Sequence, residues 1–190
     1  MKFITSFFVF LSLLSSTIFS QEKTLVELDW HDATAVGVEG RILPDQPRLR
    51  WFDRLPSSAE ATVSTHVWNL SRDSAGMVFR FKTDANAIHV HYKLSKSNLG
   101  MPHMPATGVS GVDLYARDES GKWKWVQVTK PTTQEINTEI VGGLAAGYRE
   151  YAAYLPLYNG VEFLRIGVLK GSQFEGLAPR EKPIVFYGTS

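Results

Sequence analysis

Between Met77 and Leu94 the sequence changes side at every residue. Met77, Phe79 and Phe81 fall on one side, and Arg80 and Lys82 on the other. After Thr83-Asp84-Ala85-Asn86, the residues Ile88, Val90, Tyr92 and Leu94 repeat the pattern against His89, His91 and Lys93. Side chains of a strand point to alternate faces, so a period of two specifies half-buried strands and excludes a helix. The short polar segment between the two runs predicts a hairpin.

The rest of the chain reads the same way from Thr24 on. Residues 25–30 form a candidate first strand, and Gly37 and Gly40 within 36–42 predict a bulge or turns. Residues 47–52 alternate basic residues with Leu49 and Trp51, and 55–61 are loop-like. Residues 112–117 and 123–128 predict a hairpin around 118–121. Residues 148–157 and 161–169 predict another, because Asn159-Gly160 suits the positive φ of a type I′ turn. About ten short strands with little helix point to an all-β, antiparallel β-sandwich of jelly-roll or Greek-key type. Residues 95–110 form a long loop containing Gly100, Pro102, Pro105 and Gly108, and loops of that length are often functional.

The two ends read differently. Residues 1–20 carry Lys2 and then no charge, with an apolar stretch over 7–14 and small residues ending at Ser20. That is the pattern of a secretory signal peptide, too short and broken for a membrane span. Its removal leaves 19 basic against 19 acidic groups. The mature chain is therefore expected to be secreted or periplasmic, and it lacks the basic field that nucleic acid demands. It has no cysteine, so no disulfide scaffold. Apolar residues make up 44% of the full sequence, which disfavours disorder and allows one compact domain over residues 21–175. Residues 171–182 have a linker's composition. The following Pro183-Ile184-Val185-Phe186-Tyr187-Gly188 is continuously apolar, as in a strand buried on both faces of a parallel sheet. Residues 176–190 are thus expected to be a linker and the first strand of a different, α/β domain.

Few residues stand out chemically. Gly188-Thr189-Ser190 after a buried strand is how several hydrolases present a serine nucleophile, with a helix N-terminus next to it. The plain alternative is a serine of no consequence. His103 and Met104 lie in the long loop, either lining a substrate cleft or padding a turn. Asp113 is disfavoured in a strand; it shares a face with Tyr115. It is expected either to bond a neighbouring loop backbone or to contact another domain. Trp123 and Trp125 share a face and are expected to be buried, with sugar stacking as the alternative. His89 and His91 share an exposed face, and no third ligand for a metal is evident. Asn69-Leu70-Ser71 is a formal glycosylation sequon, meaningful only in a eukaryotic secretory pathway.

Gly111-Val112-Asp113-Leu114-Tyr115 matches the Gly-x-Asp-Leu-Tyr signature of the β-sandwich that precedes SGNH/GDSL-type esterase domains. Trp68-Asn69-Leu70-Ser71, Ser74-Ala75-Gly76-Met77, Met101-Pro102-His103-Met104 and the segment 154–160 resemble the same family, over about residues 24–190. The resemblance implies an accessory sandwich of a carbohydrate esterase, with Ser190 as the nucleophile and Thr189 where many such enzymes have Asp. It implies no cofactor and no metal. Its partners would be an acylated carbohydrate or other ester substrate and a C-terminal SGNH domain. The family's oxyanion Gly and Asn blocks and its Asp-x-x-His block fall downstream of the serine. The 190-residue chain alone is therefore expected to be inactive. A free-standing carbohydrate-binding sandwich is the other expectation.

Overall fold

The structure, a computed structural model, describes residues 27–180. Nine strands follow in chain order: β1 (Leu28–Asp32), β2 (Val78–Thr83), β3 (Ile88–Leu94), β4 (Asp113–Arg117), β5 (Trp123–Val128), β6 (Glu135–Val141), β7 (Arg149–Tyr154), β8 (Val161–Leu169) and β9 (Phe174–Leu177). They form an antiparallel β-sandwich, with one sheet ordered β1-β8-β3-β6 and the other β5-β4-β7-β2-β9. The alternation seen in the sequence sets the core. Phe79 and Phe81 of β2, Leu114 of β4, and Tyr151 and Ala153 of β7 meet Ile88, Val90 and Tyr92 of β3 and Leu164 and Ile166 of β8. All are essentially buried.

Two of the three expected hairpins are not hairpins. Strand β2 lies in the five-stranded sheet and β3 in the four-stranded one, so residues 84–87 cross between sheets. Thr83 makes this crossing possible: its hydroxyl accepts from the Ala85 N–H and donates to the Gln173 carbonyl. Strands β7 and β8 are likewise in different sheets. Asn159 and Gly160 do not adopt the positive φ of a type I′ turn. The Asn159 side chain is buried instead. Its amide donates to the Lys96 carbonyl and the Ser110 hydroxyl, and its oxygen accepts from the Lys96 N–H. Gly160 has no room for a Cβ, which would lie 2.5 Å from the Arg72 carbonyl. The β4–β5 hairpin forms as expected. The Asp118 carboxylate caps the N–H groups of Ser120 and Lys122, and Gly121 takes a φ of 78°.

Short helices fill the connections. They are α1 (Ala33–Val36), α2 (Thr65–Ser71) and α3 (Ala106–Ser110), with a 3-10 turn at Ser57–Ala61. The seven-residue α2 starts at Ser64, whose hydroxyl accepts from the Val67 N–H. The linker-like stretch after residue 171 contains the edge strand β9, because Phe174 stacks on Phe81 at 5.3 Å and on His31 at 3.7 Å. The leader, the strand expected at 183–188 and Ser190 lie outside the described residues.

Candidate functional site

The five residues Gly111 to Tyr115 open β4 and build a site on the outer face of the five-stranded sheet. Gly111 is required by contact rather than by backbone conformation. A Cβ there would lie 2.3 Å from the Thr107 carbonyl and 2.8 Å from Val128. Val112 is buried and donates its N–H to the Thr129 hydroxyl at 2.8 Å. That hydroxyl also meets the buried Tyr92 hydroxyl at 2.8 Å, so the start of β4 is pinned to the core. Leu114 enters the core. Asp113 and Tyr115, on the opposite face, look outward. Gly111→Ala is expected to lower stability by about 1–3 kcal/mol through overpacking, read as a shifted urea midpoint.

Outward on the same face, Asp113 pairs with Tyr154 across β7, and Tyr115 pairs with Trp125 across β5. Trp125 donates its indole N–H to the Asp113 carboxylate at 3.0 Å. Tyr115 and Tyr154 meet edge to face at 5.5 Å. The Arg117 guanidinium lies over the Trp123 ring at 5.1 Å. Asp113, Tyr115, Trp123, Tyr154 and Leu157 line a concavity of about 370 Å³. Trp123 and Trp125 are 37% and 54% exposed, which corrects the expectation that they are buried. Strand β5 is a sheet edge, and even the opposite face at Lys124 is exposed. Asp113 bonds an indole rather than a loop backbone.

Beside this shelf runs a ladder of ion pairs. Arg80 bridges Glu150 and Glu39, Arg117 reaches Glu150 at 3.3 Å, and Arg180 reaches Glu39 at 2.6 Å. Burial alone would raise the Glu39 carboxyl, but hydrogen bonds and charge from Arg180 and Arg80 outweigh it and hold it below its ordinary value. Glu39 bridges to Val78, which pairs with Tyr154. The last described residues therefore leave the sandwich close to the shelf.

The long loop is ordered but does not line the shelf. Met101 and Met104 exchange backbone hydrogen bonds at 2.9 and 3.1 Å, with exposed Pro102 and His103 between them. The Val109 carbonyl accepts from the Tyr158 N–H, which ties the loop to the segment that supplies Leu157. His89 and His91 pair with Glu139 at 3.6 Å and Glu135 at 2.8 Å on the outer face of the other sheet. Among the described residues no group of three or more His, Cys, Asp or Glu could hold a metal ion, and no helix is long and apolar enough to cross a membrane. The structure thus brings Asp113 and Tyr115 together and leaves His103 and Met104 apart from them; Ser190 is outside the described residues. Tyr154 and Leu157 belong to the family-like segment 154–160, but nothing in the sequence assigns them a place in a site. Their exposure next to Asp113 follows from strand order, which periodicity does not report.

The family model described as "GxDLY: N-terminus of Esterase_SGNH_hydro-type" matches residues 28–174. Two solved structures share the fold. A Bacteroides ovatus protein described as a GDSL-like lipase aligns with a TM-score of 0.72 at 23% identity, over 84% of this chain and 45% of its own. The salicylyl-acyltransferase SsfX3 from a tetracycline biosynthetic pathway aligns with a TM-score of 0.52 at 15% identity, over 82% of this chain and 42% of its own. The chain thus spans less than half the length of either. No curated protein matches it.

Proposed function

This chain belongs to the GxDLY family, the N-terminal domain of SGNH-hydrolase-type esterases, and we propose that it is the accessory sandwich of an exported esterase acting on acylated carbohydrate. The observation that carries this reading is the Gly111 to Tyr115 signature. Its Gly is fixed by close backbone approach, its Leu by the core, and its Asp and Tyr by a shared outward face. The leader pattern of residues 1–20 supports export. The apolar run before Gly188-Thr189-Ser190 supports a second, α/β domain that begins there.

In the longer protein Ser190 is the nucleophile. Its oxygen forms a bond to the acyl carbon, the sugar alkoxide leaves with the serine proton relayed by a base, and water then cleaves the acyl-serine. Among the described residues no His hydrogen-bonds to a Ser or Thr hydroxyl; His91 is tied to Glu135. Turnover is expected from the longer protein rather than from the 190-residue chain. The test is acetate release from a partially acetylated polysaccharide by the longer protein. Ser190→Ala is expected to cut turnover at least 10³-fold, and hydrolysis that survives this substitution contradicts the proposal.

A further inference from the structure

We propose that the shelf of Asp113, Tyr115, Trp123, Tyr154 and Leu157 is a binding site for a neutral pyranose chain; this rests on the carbohydrate-esterase reading and assigns the glycan its place on the sandwich. Three observations converge. First, the aromatic rings are open to solvent. Tyr154 is 44% exposed and Leu157 50%, next to the two exposed indoles. A contiguous apolar patch of this kind on one face marks an interaction site. The 370 Å³ concavity is in the size range of small-ligand pockets.

Second, the rings are already held in place. Trp125 is fixed by its bond to Asp113, Tyr115 by Tyr154, and Trp123 by Arg117. A ligand that lies on them need not order them first, so little conformational entropy is lost on binding.

Third, the charges select the ligand. Among the described residues, Asp113 is the only Asp, Glu, Lys, Arg or His that lines the concavity. The neighbouring cations Arg80, Arg117 and Arg180 are each engaged by Glu150 or Glu39. A phosphate or an acidic glycan would meet that carboxylate while these three arginines are already engaged. A purely apolar ligand would bury that carboxylate with the Trp125 indole N–H bonded to it and its remaining acceptor sites unmet. A neutral sugar avoids both costs. Its C–H faces lie on the indole and phenol rings, while its hydroxyls donate to Asp113 and bond the two tyrosine hydroxyls.

The test is titration of the purified chain with soluble neutral hexasaccharides of xylose, glucose and mannose, followed by tryptophan fluorescence and calorimetry. Saturable binding to at least one is expected. Trp123→Ala and Tyr154→Ala should each weaken it at least tenfold, while Trp30→Ala, on the other sheet, leaves it unchanged. Circular dichroism and thermal melting of each variant separate lost binding from lost fold. No binding to any of the three, or binding that Trp123→Ala leaves intact, overturns the proposal. If the longer protein still hydrolyses acetylated glycan in that case, the esterase reading stands. The shelf is then the seat of the domain that follows Arg180 rather than a sugar site. Binding by the chain without ester hydrolysis by the longer protein supports the shelf and overturns the esterase reading.

Discussion

Asp53→Asn is expected to destabilise the sandwich by about 3 kcal/mol, the low end of what breaking a buried ion pair costs. Asp53 is 1% exposed and has two arginine partners. One oxygen receives the Arg50 guanidinium at 3.1 Å; the other receives the Arg50 backbone N–H at 2.9 Å and forms an ion pair with the Arg72 guanidinium at 2.8 Å. Arg50 in turn donates to the Arg72 carbonyl, and Arg54 to the carbonyls of Leu70 and Asp73. Residues 50–54 and 70–73 are thus one polar unit that closes an end of the sandwich and holds the buried Phe52. Asparagine keeps the shape and the backbone bond but strands two guanidinium groups. Both are partly open to water, which is why the low end applies. Urea unfolding checks this, and a loss below about 1 kcal/mol would show that the unit is held by packing alone.

Phe81→Ala is expected to cost about 3–5 kcal/mol. Phe81 is fully buried and stacks on Phe79 at 5.7 Å, Tyr151 at 5.4 Å and Phe174 at 5.3 Å. Tyr151 and Phe174 belong to the strands on either side of β2 in one sheet, and Phe174 helps to secure the edge strand β9. The truncation leaves a cavity that those flat rings cannot collapse into. For a domain of this size a loss of that magnitude lowers Tm by roughly 10 °C. Hydrogen exchange should rise first at β9, where Phe174 loses a ring partner. A variant that keeps β9 protected would show that its backbone pairing to β2 suffices.

The faces of the strands were legible in the sequence; their partners were not. The alternation through Met77–Phe81 and Ile88–Leu94 identifies inward residues correctly, because a buried face needs an apolar residue at every second position. It carries no information on whether the next strand lies beside or opposite. Residues 83–86 and Asn159-Gly160 have turn composition, yet both connect the two sheets. Asn159 shows why. Its side chain is consumed by Lys96 and Ser110, partners 63 and 49 residues away in sequence. The Asp118–Gly121 turn, whose bonds are local, was read correctly. Helix α2 escaped because seven residues give less than two full periods.

The candidate site divides the same way. Asp113 stood out because a carboxylate in a strand demands a reason, and Tyr115 followed as its face-mate. The exposure of Trp123 and Trp125 depended on β5 being an edge, and Tyr154 on β7 lying beside β4. Both are facts of strand order. Gly111 was legible as part of a motif, whereas its cause, the Thr107 and Thr129 carbonyls nearby, is purely tertiary.

The central claim is that this sandwich precedes a serine esterase whose nucleophile is Ser190. The most direct measurement is labelling of the longer protein with a fluorophosphonate, followed by peptide mass spectrometry. A single adduct on Ser190, blocked by an acetylated substrate, is the predicted result. An adduct on another serine, or none in a folded and active protein, would contradict it.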